Sequence, residues 1–288
     1  MASLIREAEL ALRGRASEAA RLEAEMLLGH VMGWSRAGIL IHSQERVTGK
    51  DRGRFRRLVG LRTRGHPLQY LTHTQEFWSL EFYVNRHTLI PRPESEILVE
   101  EGARRVTGSR PIVIDVGTGC GNLAVALARE LPGARIYAVD ISGEALAVAR
   151  RNARSHGVGE QIRFLKGDQF APLAGLGLEG KVDLLVANPP YISTAELAGL
   201  PVDVRDHEPR QALVAGRTGE EFYSPLIEGA GRFLKAGGSL IMELGLGRAA
   251  GVRRRLEASP AFGKILTVKD GAGIERVAIG ARSSRDAG

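Results

Sequence analysis

Asn188-Pro189-Pro190-Tyr191 follows the apolar run Val182 to Ala187, so the tetrapeptide leaves the carboxyl end of a buried strand. Open α/β sheets bind ligands at that end. Two consecutive prolines carry no backbone N–H, so the main chain here can only accept hydrogen bonds, and the Asn188 side-chain oxygen adds another acceptor. Such a stretch suits a group that donates. A planar NH2 fits: Asn188 and a neighbouring carbonyl take its hydrogens while the Tyr191 ring lies against the flat face of the amide or base. Asn-Pro turns are also common after strands that do no chemistry, so the reading depends on what lies upstream.

Upstream, Asp115-Val116-Gly117-Thr118-Gly119-Cys120-Gly121 joins the apolar run Ile112 to Val116 to a helical pattern over 122–131. Three glycines let a ligand approach the backbone closely. The dinucleotide fingerprint requires glycine where Asn122 stands, and none of the Gly-Lys pairs at 49, 180 and 263 precedes Ser or Thr, which removes a P-loop. Asp140 ends the second strand about 20 residues beyond the loop, where an acid reaches a ribose diol. An adenosine-containing cofactor without a pyrophosphate is left. Asp168, after the third strand, could approach the adenine or cap a helix, and both readings stay open.

These segments need a frame. From Pro111 the pattern strand, turn, helix repeats over Ile112–Val116, Arg135–Asp140, Ile162–Lys166, Val182–Ala187 and Ser239–Leu244, then Ile265–Asp270 and Arg276–Gly280. Alternation of this kind predicts a mostly parallel seven-stranded sheet covered on both faces. The turn around Gly271-Ala272-Gly273 is too short for a crossover, so the last strand should be antiparallel. Before it, residues 1–75 read as short helices, with Ser17 as one cap and Thr48 or Asp51 as another. The aromatic-rich stretch 76–90 suggests a hairpin linker, and 91–288 a second, α/β domain.

The chain carries 40 Lys+Arg against 33 Asp+Glu, a net of +7, and most of the excess lies in the first 75 residues. Arg46, Lys50, Arg52, Arg54, Arg56, Arg57, Arg62 and Arg64 face only Asp51 there, beside an apolar stripe of Phe55, Leu58, Val59 and Leu61. That part is expected to meet an acidic partner, protein or nucleic acid, or to be a solvated helix face. The single cysteine, Cys120, excludes an internal disulfide and a cysteine-cluster zinc site, and its expected role is structural. The seven histidines show no metal-ligand spacing and read as surface or packing residues, so no metal is expected. With no apolar run of membrane length, the expectation is a cytoplasmic protein that uses no membrane; a monomer is expected, though no residue pattern addresses the oligomeric state.

Asp115-x-Gly-x-Gly-x-Gly with Asp140 resembles the signature of class I S-adenosyl-L-methionine-dependent methyltransferases. Asn-Pro-Pro-Tyr is shared by methylases of exocyclic and amide nitrogens and cannot choose between them. The order of Leu89-Ile90-Pro91-Arg92-Pro93-Glu94-Ser95-Glu96, Asn188-Pro189-Pro190-Tyr191-Ile192 and Glu208-Pro209-Arg210-Gln211-Ala212-Leu213 closely resembles the HemK/PrmC family. That resemblance runs from about Tyr70 to Arg276. It implies a Rossmann-like α/β catalytic domain, an N-terminal substrate-docking domain, and methylation of the glutamine amide in the Gly-Gly-Gln loop of peptide chain release factors. Gly117, Thr118, Gly119, Cys120, Gly121, Asp140, Asp168, Gln169 and Asn188 would then line the S-adenosyl-L-methionine site. Asn188, Pro189, Pro190 and Tyr191 would hold the glutamine. The sequence departs from the family at Gln169, where Trp is frequent, at His73, Ser79 and Ala215 in place of glycines, and at Arg248 in place of Gln. A methyltransferase for an exocyclic amine of RNA or DNA is the alternative, and a non-enzymatic binding module a third reading that the intact motifs oppose.

Overall fold

The computed structural model describes residues 1–13 and 19–284. Ser17, expected as a helix cap, lies outside them. Two compact units are present: Met1–Thr74 with Pro201–His207, and Gln75–Leu200 with Glu208–Gly288.

The first unit contains α1 (Ala2–Leu12), α2 (Ala20–Met32), α3 (Arg36–Ile41), α4 (Gly49–Thr63) and α5 (Leu68–Thr72). Leu12, Leu27, Leu28, Ile39 and Phe55 are almost fully buried at its centre. Thr48 starts α4 by accepting from the Asp51 N–H at 3.1 Å, one of the two caps anticipated. The cations of α4 are not all solvated: Arg62 makes a bidentate pair with Glu23 at 2.8 and 2.9 Å in half-buried surroundings, and Arg56 reaches Glu7 at 3.1 Å. Arg46, Lys50, Arg52, Arg57 and Arg64 have no ion pair among the described residues.

The hairpin β1 (Thr74–Phe77) and β2 (Leu80–Tyr83), all but Thr74 in the second unit, comes next. Trp78 and Ser79 form its two-residue turn, both at φ +55°, and His73 just before it is at +59°. These are left-handed conformations, which favour glycine over the His73 and Ser79 found here. Next come α6 (Glu96–Arg105), β3 (Ile112–Val116), α7 (Asn122–Glu130), β4 (Arg135–Asp140), α8 (Gly143–Ser155), β5 (Ile162–Lys166) and β6 (Val182–Ala187). A small parallel pair, β7 (Ile192–Ser193) and β8 (Val214–Gly216), brackets α9 (Val202–His207), which belongs to the first unit, and α10 (Arg210–Leu213). The chain closes with α11 (Tyr223–Phe233), β9 (Leu234–Glu243), α12 (Ala249–Ala258), β10 (Phe262–Lys269) and β11 (Glu275–Arg282).

The main sheet has the order β10-β11-β9-β6-β3-β4-β5. Only β11 runs against its neighbours, antiparallel to both β9 and β10, as the short turn before it requires. Successive residues of each buried strand feed opposite cores: Val113, Leu184 and Ile241 pack on one face, Ile114, Leu185 and Leu240 on the other. These strands therefore read as continuous apolar runs. The order reverses at β3, whose neighbours are β4 and β6, and this switch point opens a crevice beyond the strand ends.

Candidate functional site

Register brings the site together. Val139 of β4, Val116 of β3, Ala187 of β6 and Met242 of β9 sit side by side in one row across the sheet. The next residues along the four strands are Asp140, Gly117, Asn188 and Glu243, so chemistry scattered over more than a hundred positions emerges along one sheet edge. A cavity of about 290 Å3 lies there, wholly within the second unit. Gly117, Thr118, Gly119, Cys120, Asp140, Asp168, Gln169, Asn188, Pro189 and Pro190 all line it.

Gly117 and Thr118 both donate to the Val139 carbonyl at 2.9 Å, which folds the loop back over β4. Gly119 N–H donates to Asp140 Oδ2 and Ser142 N–H to Oδ1, each at 2.8 Å. Asp140 therefore shapes the loop besides facing the cavity. Burial holds its carboxyl above the usual range, opposed by those backbone donors. A Cβ on Gly119, at φ +55°, would meet nothing within 4 Å, leaving its backbone open to a ligand. Gly121 serves packing instead, because a Cβ there would come 3.0 Å from Ala149 Cβ; its glycine lets α7 pack on α8, and it does not line the cavity. Cys120 is buried, with its thiol pushed up to about 12 by desolvation. Asn152, which sequence reasoning passed over, ties the loop to the hairpin by donating to Cys120 O at 2.8 Å and Tyr83 O at 3.0 Å.

The buried Asp115 receives the Thr118 hydroxyl at 2.6 Å, while its Oδ1 has no partner among the described residues. Desolvation raises its carboxyl to about 7. Asp168 is exposed at the cavity rim and caps no helix, while Gln169 sits at φ +43°. His87 also lines the cavity.

Beside the loop, Asn188 Nδ2 donates to Ser95 Oγ at 3.0 Å, and Ser95 Oγ donates to Glu243 Oε2. Tyr191 OH donates to the other Glu243 oxygen at 3.2 Å. A Cβ on Gly245 would lie 2.9 Å from Tyr191 Cδ2, so the ring packs against that backbone and does not line the cavity. Arg92 pairs with Glu208, whose Oε2 also accepts from Ile90 N–H at 3.1 Å. The three motif segments singled out in the sequence thus converge through Asn188–Ser95 and Arg92–Glu208. Ser95 and Glu243 were not among the expected site residues. The available signal for Glu243 was an acid closing an apolar strand, as Asp140 does.

No lysine or arginine among the described residues lines the cavity, whereas two aspartates and apolar groups such as Leu89, Ile141 and Leu226 do. That donor set fits a cationic, adenosine-bearing sulfonium compound and disfavours a pyrophosphate. No cluster of His, Cys, Asp or Glu suited to a metal ion is present among the described residues.

The sheet order and this loop define a methyltransferase of class I architecture. Among solved structures, the hMettl16 catalytic domain in complex with MAT2A 3'UTR hairpin 6 superposes with a TM-score of 0.59 at 17% identity, covering 80% of this chain and 83% of that one; it shows the shared fold. The PrmC N-terminal domain family matches residues 3–72 and a methyltransferase domain family residues 109–250. The release factor glutamine methyltransferase of Chlorobaculum tepidum is 43% identical over 256 residues, 87% of this chain and 86% of that protein. Its counterpart from Moorella thermoacetica is 44% identical over 260 residues, 90% of each. The chain belongs to the release factor glutamine methyltransferase family.

Proposed function

We propose that this protein transfers the methyl group of S-adenosyl-L-methionine to the side-chain amide nitrogen (N5) of the glutamine in the Gly-Gly-Gln motif of peptide chain release factors. The observation that carries the reading is the Asn188 amide: its NH2 is committed to Ser95, and no group among the described residues donates to its Oδ1. An unclaimed acceptor beside two prolines at a cavity wall is what a donating amide needs. Family membership supplies the substrate class. Residues 1–75 act as the docking domain for the release factor, supported by the PrmC N-terminal match and the cations of α4.

Bound S-adenosyl-L-methionine supplies an electrophilic methyl on a sulfonium. Gly117 to Cys120 would give it backbone contacts, Asp140, already an acceptor, would take a ribose hydroxyl, and Asp168 and Gln169 would hold the base. An amide nitrogen is a poor nucleophile because its lone pair is delocalised, so positioning by the protein does most of the work. Fixing the nitrogen in line contributes on the order of 7 to 11 kcal/mol through proximity and orientation. As nitrogen loses electron density its N–H bonds become more acidic, and hydrogen bonds to Asn188 Oδ1 and the Pro189 carbonyl strengthen toward the transition state. Asn188→Ala should therefore lower turnover at least about 100-fold while leaving cofactor binding nearly intact. A rise in the Michaelis constant alone would reduce Asn188 to substrate binding.

A further inference from the structure

An asparagine amide presents either an acceptor or a donor to a ligand, according to which way its two ends point, and something must decide. Here the decision traces to a carboxylate in the core. Glu243 is 3% exposed and Ser95 1%. An ionised carboxylate only accepts, so the single Ser95 hydroxyl proton goes to Glu243 Oε2, and Ser95 Oγ can face Asn188 only as an acceptor. Asn188 must then turn its Nδ2 toward Ser95, as found at 3.0 Å, and its Oδ1 away. Tyr191 OH donates to Oε1, so both carboxylate oxygens are held and the residue after Pro190 is anchored to the same group.

We propose that Glu243, acting through Ser95, is the positioning residue that keeps Asn188 presenting an acceptor to the substrate amide, and that turnover requires Glu243 ionised. The proposal rests on the reading that Asn188 accepts from that amide. Protonation reverses the relay. A protonated Glu243 donates to Ser95 Oγ, freeing the Ser95 proton to donate to Asn188 Oδ1; the amide turns over and offers the substrate N–H a donor, which it cannot use. Burial raises the Glu243 carboxyl above its usual range, against the Ser95 and Tyr191 hydrogen bonds; Glu94 adds to the rise and Arg276 opposes it. Tyr223, which donates to the Glu243 carbonyl oxygen at 3.3 Å, and Arg92, which acts on Tyr191, complete the polar surroundings. A group raised in this way is ionised at high pH and protonated as pH falls. The expected consequence is an acid limb on kcat lying above the ordinary glutamate range.

The test uses full-length enzyme with intact release factor, and calorimetry for S-adenosyl-L-methionine. Ser95→Ala cuts the relay with little change in volume, Ser95→Thr keeps the hydroxyl, and Glu243→Gln is neutral at every pH. Expected are unchanged cofactor affinity in all three, kcat lowered on the order of 10- to 100-fold in Ser95→Ala and Glu243→Gln, the acid limb lost in Glu243→Gln, and in Ser95→Thr a smaller fall in kcat with the limb retained. Circular dichroism verifies folding, and if Glu243→Gln fails to fold, Ser95→Ala and the wild-type limb decide. Wild-type kcat in Ser95→Ala with its limb intact, while Asn188→Ala is inactive, overturns the relay alone. Full activity of Asn188→Ala overturns the underlying reading instead.

Discussion

Asp115→Asn offers a quantitative test of how the cofactor loop is built. Asp115 is fully buried after β3, with one oxygen receiving the Thr118 hydroxyl and the other without a partner among the described residues. Its folded carboxyl stands at about 7 against 3.8 in an unperturbed chain, with desolvation the leading cause. The sign follows from proton binding: between those two values the folded state keeps a proton that the unfolded state releases, so this group's contribution to stability falls as pH rises through the window and levels off above it. At 1.36 kcal/mol per pH unit the accumulated cost by pH 8 is about 4 kcal/mol. Asparagine keeps an acceptor for Thr118 and cannot ionise. The variant should match wild type near pH 4 and melt higher at pH 8, by on the order of 10 °C for a chain of this size. Thermal unfolding without cofactor at both pH values is the assay. A melting difference that does not change with pH would show that Asp115 titrates normally and that its burial does not govern this loop.

Asp140→Ala should weaken S-adenosyl-L-methionine binding by at least about tenfold in calorimetry, since hydrogen bonds to charged groups contribute roughly 1.5 to 3 kcal/mol and the Gly119 and Ser142 N–H groups lose their acceptor as well. Unchanged affinity would remove Asp140 from the site. Replacing both Arg52 and Arg57 by Glu on the exposed face of α4 should lower kcat/KM for intact release factor several-fold through slower encounter, with cofactor affinity unchanged; an unaltered value would place docking elsewhere. Cys120, with its thiol pushed up to about 12 and buried, should resist iodoacetamide at pH 8 in the folded protein and react once the chain is unfolded, as read by mass spectrometry.

The parts of the site that sequence exposes are those where backbone chemistry dictates residue type. Glycines at 117 and 119, prolines at 189 and 190, and an acid closing an apolar strand each have a local physical reason, so they are legible in the sequence itself. Strand pairing is legible for the same reason: runs buried on both faces are unbroken, and the turn before β11 is too short to cross over. Roles set by neighbours distant in sequence were hidden. Gly121 looks like the other loop glycines until α8 places Ala149 beneath it, and Tyr191 looks like a stacking platform until Gly245 and Glu243 take up its ring and hydroxyl. Ser95 and Glu243 are 148 positions apart, and no local pattern announces their contact. His73 and Ser79 show the converse, side chains tolerated in left-handed turns where propensity alone asks for glycine.

Which atom receives the methyl group is the question on which everything else turns. Purified full-length protein incubated with methyl-labelled S-adenosyl-L-methionine and intact release factor, beside parallel reactions with ribosomal RNA and DNA, measures it directly. Label is expected on the release factor alone, mapped by mass spectrometry to the glutamine of Gly-Gly-Gln, with one methyl per chain. Label on RNA or DNA that falls steeply with added salt, and none on release factor, would contradict the glutamine assignment and leave a nucleobase methyltransferase in its place.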